Sequence, residues 1–183
     1  MLHFSGSKCV SSDMKDSSVS IGLINPKSPT NVGAVMRAAG CFQADAVLYT
    51  GDRYDRAARF HTDTKDAAQN IPLSGVDDLF AHVPAGAKVV CVDLVEGATA
   101  LPDFQHPEAA FYIFGPEDGT VSQAVVNRAD AVVYIPTQGC LNLAATVNVV
   151  LYDRTAKSAS HADGNALIRQ SRDMNNRVKV SLG

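Results

Sequence analysis

The stretch Val19-Ser20-Ile21-Gly22-Leu23-Ile24-Asn25-Pro26 opens a run that continues through Thr30-Asn31-Val32-Gly33-Ala34-Val35-Met36-Arg37-Ala38-Ala39-Gly40 to Ala46-Val47-Leu48-Tyr49. The first six residues read as a buried strand, and Asn25-Pro26 stops it because proline has no N–H to offer a ladder. Thr30 or Asn31 supplies an oxygen to cap a following helix. Val32, Val35, Met36 and Ala39 give that helix one apolar stripe, and Gly40 ends it. Ala46 to Tyr49 is a second short strand, closed by Thr50-Gly51. Strand, helix, strand in this order is a parallel βαβ unit.

The same alternation continues downstream. Asp52 to Asn70 is polar and reads as a helical turn and a loop. Ser74 or Gly75 introduces a short helix through Val76, Leu79 and Phe80. Lys88 to Asp93 is a strand, and a proline-containing loop from Glu96 to Pro107 leads to another at Ala110 to Phe114. Ser122 caps a helix through Val125 and Val126, Ala131 to Ile135 is the last strand, and Leu141 to Arg154 is a long apolar helix. Five or six strands alternating with helices predict an α/β fold with a parallel sheet and helices on both faces. The domain spans residues 19–155, between a leader at 1–18 and a tail at 156–183.

Bulk properties narrow the function. A chain of 183 residues, 46% apolar, 19% charged and without Trp, is of one-domain size. No apolar run is long enough to cross a bilayer, and Met1 to Ser18 is Ser-rich without the apolar core of a signal peptide. It reads as a mobile leader, and the expected location is cytoplasmic. Cys9, Cys41, Cys91 and Cys140 form no Cys-x-x-Cys pair and have no His at ligand spacing, so neither a metal site nor a disulfide scaffold is expected. Cys41 and Cys91 lie in apolar surroundings and read as buried, reduced thiols. The net charge is −3, yet from Arg154 onward the basic residues Arg154, Lys157, Arg169, Arg172, Arg177 and Lys179 face only Asp163 and Asp173. Such a basic tail fits phosphate contacts or a solvated segment equally well.

Three strand ends carry polar residues: Asn31-Val-Gly33-Ala-Val-Met-Arg37 after the first strand, Phe114-Gly115-Pro116-Glu117-Asp118-Gly119, and Ile135-Pro136-Thr137-Gln138-Gly139-Cys140-Leu141-Asn142-Leu143. In open α/β sheets ligands bind at the carboxyl ends of strands, so three such ends point to one composite site. The set, in this order, resembles the three motifs of the TrmH/SpoU family of SPOUT methyltransferases, over roughly residues 19 to 154. The resemblance implies transfer of a methyl group from S-adenosylmethionine to a ribose 2′-hydroxyl of RNA, on a parallel sheet whose C-terminal segment is threaded into a trefoil knot. It also implies a homodimer, and the compact size favours tRNA over rRNA. The apolar side of the last helix, Leu143, Val147, Val150 and Leu151, serves either that dimer contact or ordinary packing on the sheet.

The resemblance assigns roles residue by residue. Arg37 stands near the 2′-oxygen; an arginine keeps its proton, so it stabilises and orients rather than acting as base. Surface pairing with an acid such as Glu117 is its structural alternative. Asn31 directs its amide to RNA or to Arg37, or caps the helix, and Gly33 admits a close neighbour or simply packs. Glu117 orients Arg37 or Asn31. Gly115, Ile135, Gly139, Leu141 and Leu143, with Thr137, surround the cofactor, and Asn142 lies by the reacting ribose or caps the helix from a buried position. Cys140 stands where many relatives carry Ser and is assigned to RNA contact; the basic run itself, apart from the resemblance, makes Arg53, Arg56 and Arg59 further candidates for RNA contact. Tyr54 offers stacking, while Asp52 and Asp55 allow a salt-bridged loop instead.

Rival readings are a catalytically inactive RNA-binding protein of this fold, a Cys140-dependent thiol enzyme, and a nucleotide-binding module. A helix-start cysteine has a lowered pKa in favourable settings, but no His is near Cys140 in sequence. The third rival lacks a Gly-x-Gly-x-x-Gly turn and a Walker-type lysine.

Overall fold

The computed structural model describes residues 18–59, 71–158, 164–171, 175 and 177–180. Seven parallel strands form one sheet: β1 (Val19–Leu23), β2 (Ala46–Tyr49), β3 (Leu73–Gly75), β4 (Lys88–Val92), β5 (Thr99–Ala100), β6 (Ala110–Phe114) and β7 (Ala131–Tyr134). Their order is β3-β2-β1-β6-β4-β7-β5. Two strands exceed or replace the sequence expectation, because β3 and β5 are edge strands of three and two residues, too short for any periodicity. β3 occupies the place where a helix was expected to begin. The helical part of that segment is a single 3₁₀ turn, Leu79–His82, capped by the Asp78 carboxylate on the Phe80 N–H.

β6 is buried along its whole length. Its alternate residues face opposite sides, as strand geometry requires: Tyr112 and Phe114 join the larger core, while Phe111 and Ile113 join the smaller one with Leu79 and Val89. The larger core is closed by α1 (Pro29–Cys41) and α4 (Leu143–Lys157), which pack on each other and on the sheet. On the opposite face lie the 3₁₀ turn and α3 (Gln123–Arg128), whose Ser122 cap accepts from Val125 N–H as expected. Leu143, Val147, Val150 and Leu151 are all buried in this core, so the side of α4 singled out for a dimer packs inside the protomer. The large apolar residues it leaves exposed are Val149 and Tyr152, the latter at 66%.

The cap of α1 differs from expectation. Ser28 Oγ accepts from the Asn31 N–H, Pro29 occupies the first turn where its missing N–H is harmless, and Asn31 lies inside the helix. Gly40 does not stop α1 either. The left-handed residue is Gln43 (φ 56°), after which the Ala44 N–H returns to the Ala39 carbonyl. Cys41 therefore ends on the solvent side of the last turn and is exposed, contrary to its apolar sequence setting; Cys91, in β4, is buried, and burial pushes its thiol up to about 12. Cys9 lies outside the described residues, as do residues 1–17, Phe60 to Asn70 and Arg172.

The turn after β1 is tight. Asn25 is left-handed (φ 43°), and its side chain fills the space beside Gly51 (φ 77°), where a Cβ would lie 2.3 Å from Asn25 Oδ1. α2 (Arg53–Ala58) follows β2 and is tied back to it by the Tyr49 hydroxyl, which donates to Asp55 at 2.6 Å; burial and that bond push the phenol up to about 12. Tyr54 is packed edge-to-face on Tyr49 at 5.0 Å rather than held out for stacking. Beyond α4, α5 (Gly164–Ser171) is exposed throughout within the basic tail.

Candidate active site

Four neighbouring strands, β1, β6, β4 and β7, deliver their carboxyl ends side by side. From β1 the chain proceeds one way to β2 and β3, and later strands fill the other side, so the ends of β1 and β6 flank the point where strand order reverses. A cavity of about 500 Å³ opens there, within the usual range of roughly 300–1,000 Å³ for small-molecule sites. Its floor is apolar, from Val92, Phe114, Ile135 and Leu143.

Motif two hangs from β6 and is held at both carboxylates. Glu117 accepts from the Lys27 and Ser28 N–H groups at 3.0 and 3.1 Å and from Asn31 Nδ2 at 2.5 Å. A carboxylate at the start of α1 also complements the helix dipole. Asp118 takes a two-point bond from Arg53 at 2.9 and 2.7 Å, with Lys27 at 3.9 Å. The Arg53 hydrogen bond holds the Asp118 carboxyl below the usual carboxylate range. Adjacent residues of one turn thus fasten it to α1 and to α2.

Motif three forms the opposite wall. Thr137 Oγ1 donates to the Gly139 carbonyl at 2.6 Å, which shapes the loop. Asn142 caps α4, with Oδ1 accepting from Ala145 N–H at 2.7 Å, and it is exposed rather than buried. Its –NH₂, and the N–H groups of Leu143 and Ala144, make no hydrogen bond among the described residues. The helix start therefore offers donors to a polar ligand.

The cavity brings together Asn31, Gly115, Glu117, Ile135, Thr137, Gly139, Cys140, Leu141, Asn142 and Leu143. Arg37 is not among its lining residues. It is exposed on α1 and makes no ion pair among the described residues, so it does not pair with Glu117. Gly33 has open space where a Cβ would stand, which leaves internal packing without a claim on it. Arg53 reaches the cavity rim only through Asp118. Arg56 pairs with Asp52 at 2.5 Å, matching the salt-bridged alternative, and Arg59 is exposed.

Asp93 is a cavity residue that sequence reasoning missed. It stands one position beyond β4, and each carboxylate oxygen accepts one backbone N–H: Oδ1 from Leu94 at 2.7 Å and Oδ2 from Val121 at 2.8 Å. A Cβ on Gly115 would lie 2.5 Å from Oδ2, so glycine is required here by the approach of that carboxylate. A polar residue directly after a buried strand was the available signal. Lys27, Tyr134 and Thr146 also line the cavity.

This constellation fits a cofactor with a flat apolar ring and a polar tail, because an apolar floor meets open helix-start donors and a glycine turn. No group of three or more His, Cys, Asp or Glu residues suited to a metal ion occurs among the described residues. None of the described helices is long and apolar enough to cross a membrane.

Known proteins resemble this chain in sequence and fold. An uncharacterized tRNA/rRNA methyltransferase of Mycobacterium leprae is 29% identical over 139 residues, covering 72% of this chain and 45% of its own. The chain thus spans about half the length of the curated relatives it matches. Among solved structures, the AdoMet-bound rRNA methyltransferase from Sinorhizobium meliloti superposes with a TM-score of 0.62 at 20% identity, over 78% of this chain and 57% of that one. A protein solved in work on 2-OH methylation of C/U34 on tRNA gives 0.58 at 24% identity, over 76% and 95%. The model of the SpoU rRNA Methylase family matches residues 18–152, from the residue before β1 to the middle of α4, and the chain belongs to that family.

Proposed function

We propose that the protein is an RNA methyltransferase that uses S-adenosylmethionine to methylate a ribose 2′-hydroxyl, with tRNA favoured over rRNA, and that it works as a homodimer. The observation that carries this reading is the single cavity lined by Asn31, by the turn Gly115 to Gly119 and by the loop Thr137 to Asn142. When bound, S-adenosylmethionine supplies a methyl group activated on a sulfonium. Gly115, Ile135, Gly139, Leu141, Leu143 and Thr137 would hold it, Val92, Phe114, Ile135 and Leu143 offering apolar contact and the open N–H groups of α4 offering donors.

The chain's own task is positioning, which supplies much of the rate in an in-line displacement. Glu117 fixes the Asn31 amide at the cavity edge, and Asn142, also lining the cavity, leaves its –NH₂ without a partner among the described residues. Arg37, exposed and without an ion pair among the described residues, remains available to stabilise negative charge forming on the ribose oxygen. Arg59, Cys140 and the basic tail offer further RNA contacts, whereas Arg53 and Arg56 must first leave Asp118 and Asp52. Among the described residues no His, Lys or carboxylate bonds the Cys140 thiol, so nothing there activates it for thiol chemistry. The tRNA preference is supported by the 95% coverage of the tRNA-related structure, and the homodimer by the exposed Val149 and Tyr152 on α4.

The deciding experiment incubates the protein with labelled S-adenosylmethionine and RNA from a strain lacking it, then maps the labelled nucleotide. A 2′-O-methyl group on tRNA is the expected result. Label on a base, or RNA binding without transfer, overturns it, the latter in favour of an inactive RNA-binding protein.

A further inference from the structure

Three carboxylates line the cavity, and two of them are committed. Glu117 is held by three donors at the start of α1, and Asp118 is matched by Arg53 and Lys27. Asp93 is different. Its oxygens are fixed by two backbone N–H groups, which orient the charge without cancelling it, and no cation pairs with it among the described residues. A carboxylate offers about four lone-pair positions, so two remain open. Gly115 has no side chain to cover them. The neighbouring wall of Val92, Phe114, Ile135 and Leu143 is apolar, which weakens screening of a fixed charge.

We infer that Asp93 sets a charge preference: it favours the cationic cofactor over the uncharged thioether that remains after transfer, so the reaction itself loosens the spent cofactor. This rests on the methyltransferase reading above. During transfer the carbon–sulfur bond breaks as a carbon–oxygen bond forms, and the bonding pair returns to sulfur, which loses its positive charge. The hydroxyl proton leaves to solvent or a nearby acceptor. What changes in the cavity that Asp93 lines is therefore the net charge of the ligand by one unit, with its shape nearly conserved. A fixed, cation-free carboxylate distinguishes two such ligands by charge where packing contacts cannot.

Calorimetric titration of the full chain tests this with three ligands: S-adenosylmethionine, S-adenosylhomocysteine and an analogue carrying a protonated amine in place of the sulfonium. The wild-type protein should bind both cations more tightly than the thioether, with the gap narrowing as salt is raised. Asp93→Asn should weaken both cations about tenfold and leave the thioether within about twofold. Equal weakening of all three would show Asp93 to be only a strut for the Val121 turn and would overturn the inference. Absence of any wild-type charge preference overturns it too, without needing the variant to fold. If the wild-type protein binds none of the three, the methyltransferase reading fails and takes this inference with it; binding without preference leaves that reading intact.

Discussion

Glu117 Oε1 accepts a hydrogen bond from Asn31 Nδ2 at 2.5 Å, joining residues 86 apart in sequence, while Oε2 of the same carboxylate takes the Lys27 and Ser28 N–H groups. One side chain thus closes the start of α1 and aims the motif-one amide at the cavity. Glu117→Ala leaves these donors without their acceptor. It should cost about 1–3 kcal/mol, read as a lowered urea midpoint, and reduce methyl transfer more than tenfold.

Arg37 predicts the opposite split. Exposed and without an ion pair among the described residues, it contributes nothing visible to packing, so Arg37→Ala should leave the urea midpoint and cofactor affinity nearly unchanged. Methyl transfer should fall at least a hundredfold in single-turnover assays. Full activity would remove Arg37 from the chemistry.

Gly115 is constrained by contact rather than by backbone angle. In Gly115→Ala the new methyl would meet Asp93 Oδ2 at 2.5 Å and Val121 Cγ1 at 3.2 Å. Overpacking of this kind costs about 1–3 kcal/mol, and it displaces a cavity wall. Thermal unfolding and cofactor titration should both show the loss.

Asp118 lies half in solvent and Arg53 is only partly covered, so breaking the pair should hardly move the unfolding midpoint. Their effect belongs to the turn they hold. Arg53→Ala and Asp118→Asn should each raise the cofactor KM several-fold, the double variant no further, and the charge swap Arg53→Asp with Asp118→Arg should recover part of the loss. Steady-state kinetics across this cycle measures the coupling.

A pH dependence follows from His106, which lies beneath the C-terminal half of α4 with Nδ1 2.6 Å from the Tyr112 hydroxyl and Nε2 2.8 Å from Asp153. Burial lowers its pKa against the pull of Asp153. Burial raises the Asp153 carboxyl, but the Lys157 and His106 hydrogen bonds more than reverse this, and it ends below the usual carboxylate range. Below a pH of about 6.5 the unfolded chain binds a proton at this histidine before the folded chain does, so stability falls with pH by up to about 1.4 kcal/mol per unit. The Asp153 contribution is lost only in stronger acid, as pH falls below the usual aspartate range through its lowered pKa. Denaturant midpoints between pH 7 and 5 should show the slope, and His106→Gln should flatten it.

The central parallel sheet, the helices that follow β1, β6 and β7 and the three polar strand ends were legible in the sequence. They depend on local properties: apolar runs, turn residues and caps act within a few positions. Even so, the cap of α1 fell to Ser28 and the stop to Gln43, because several nearby residues could serve and packing chose among them. The edge strands β3 and β5 carry no pattern of their own and exist only because a neighbour offers a ladder. The C-terminal trefoil knot follows from family membership, not from periodicity.

Tertiary structure alone decided which distant groups meet. It placed Asp93 against Gly115, matched Arg53 to Asp118 in place of leaving it open to RNA, turned Cys41 to solvent and set Arg37 outside the cavity that Asn31 enters. Spacing along a chain limits what one helix or turn presents. Whether a charge finds a partner depends on strands brought side by side by burial of the sheet, and no local pattern records that.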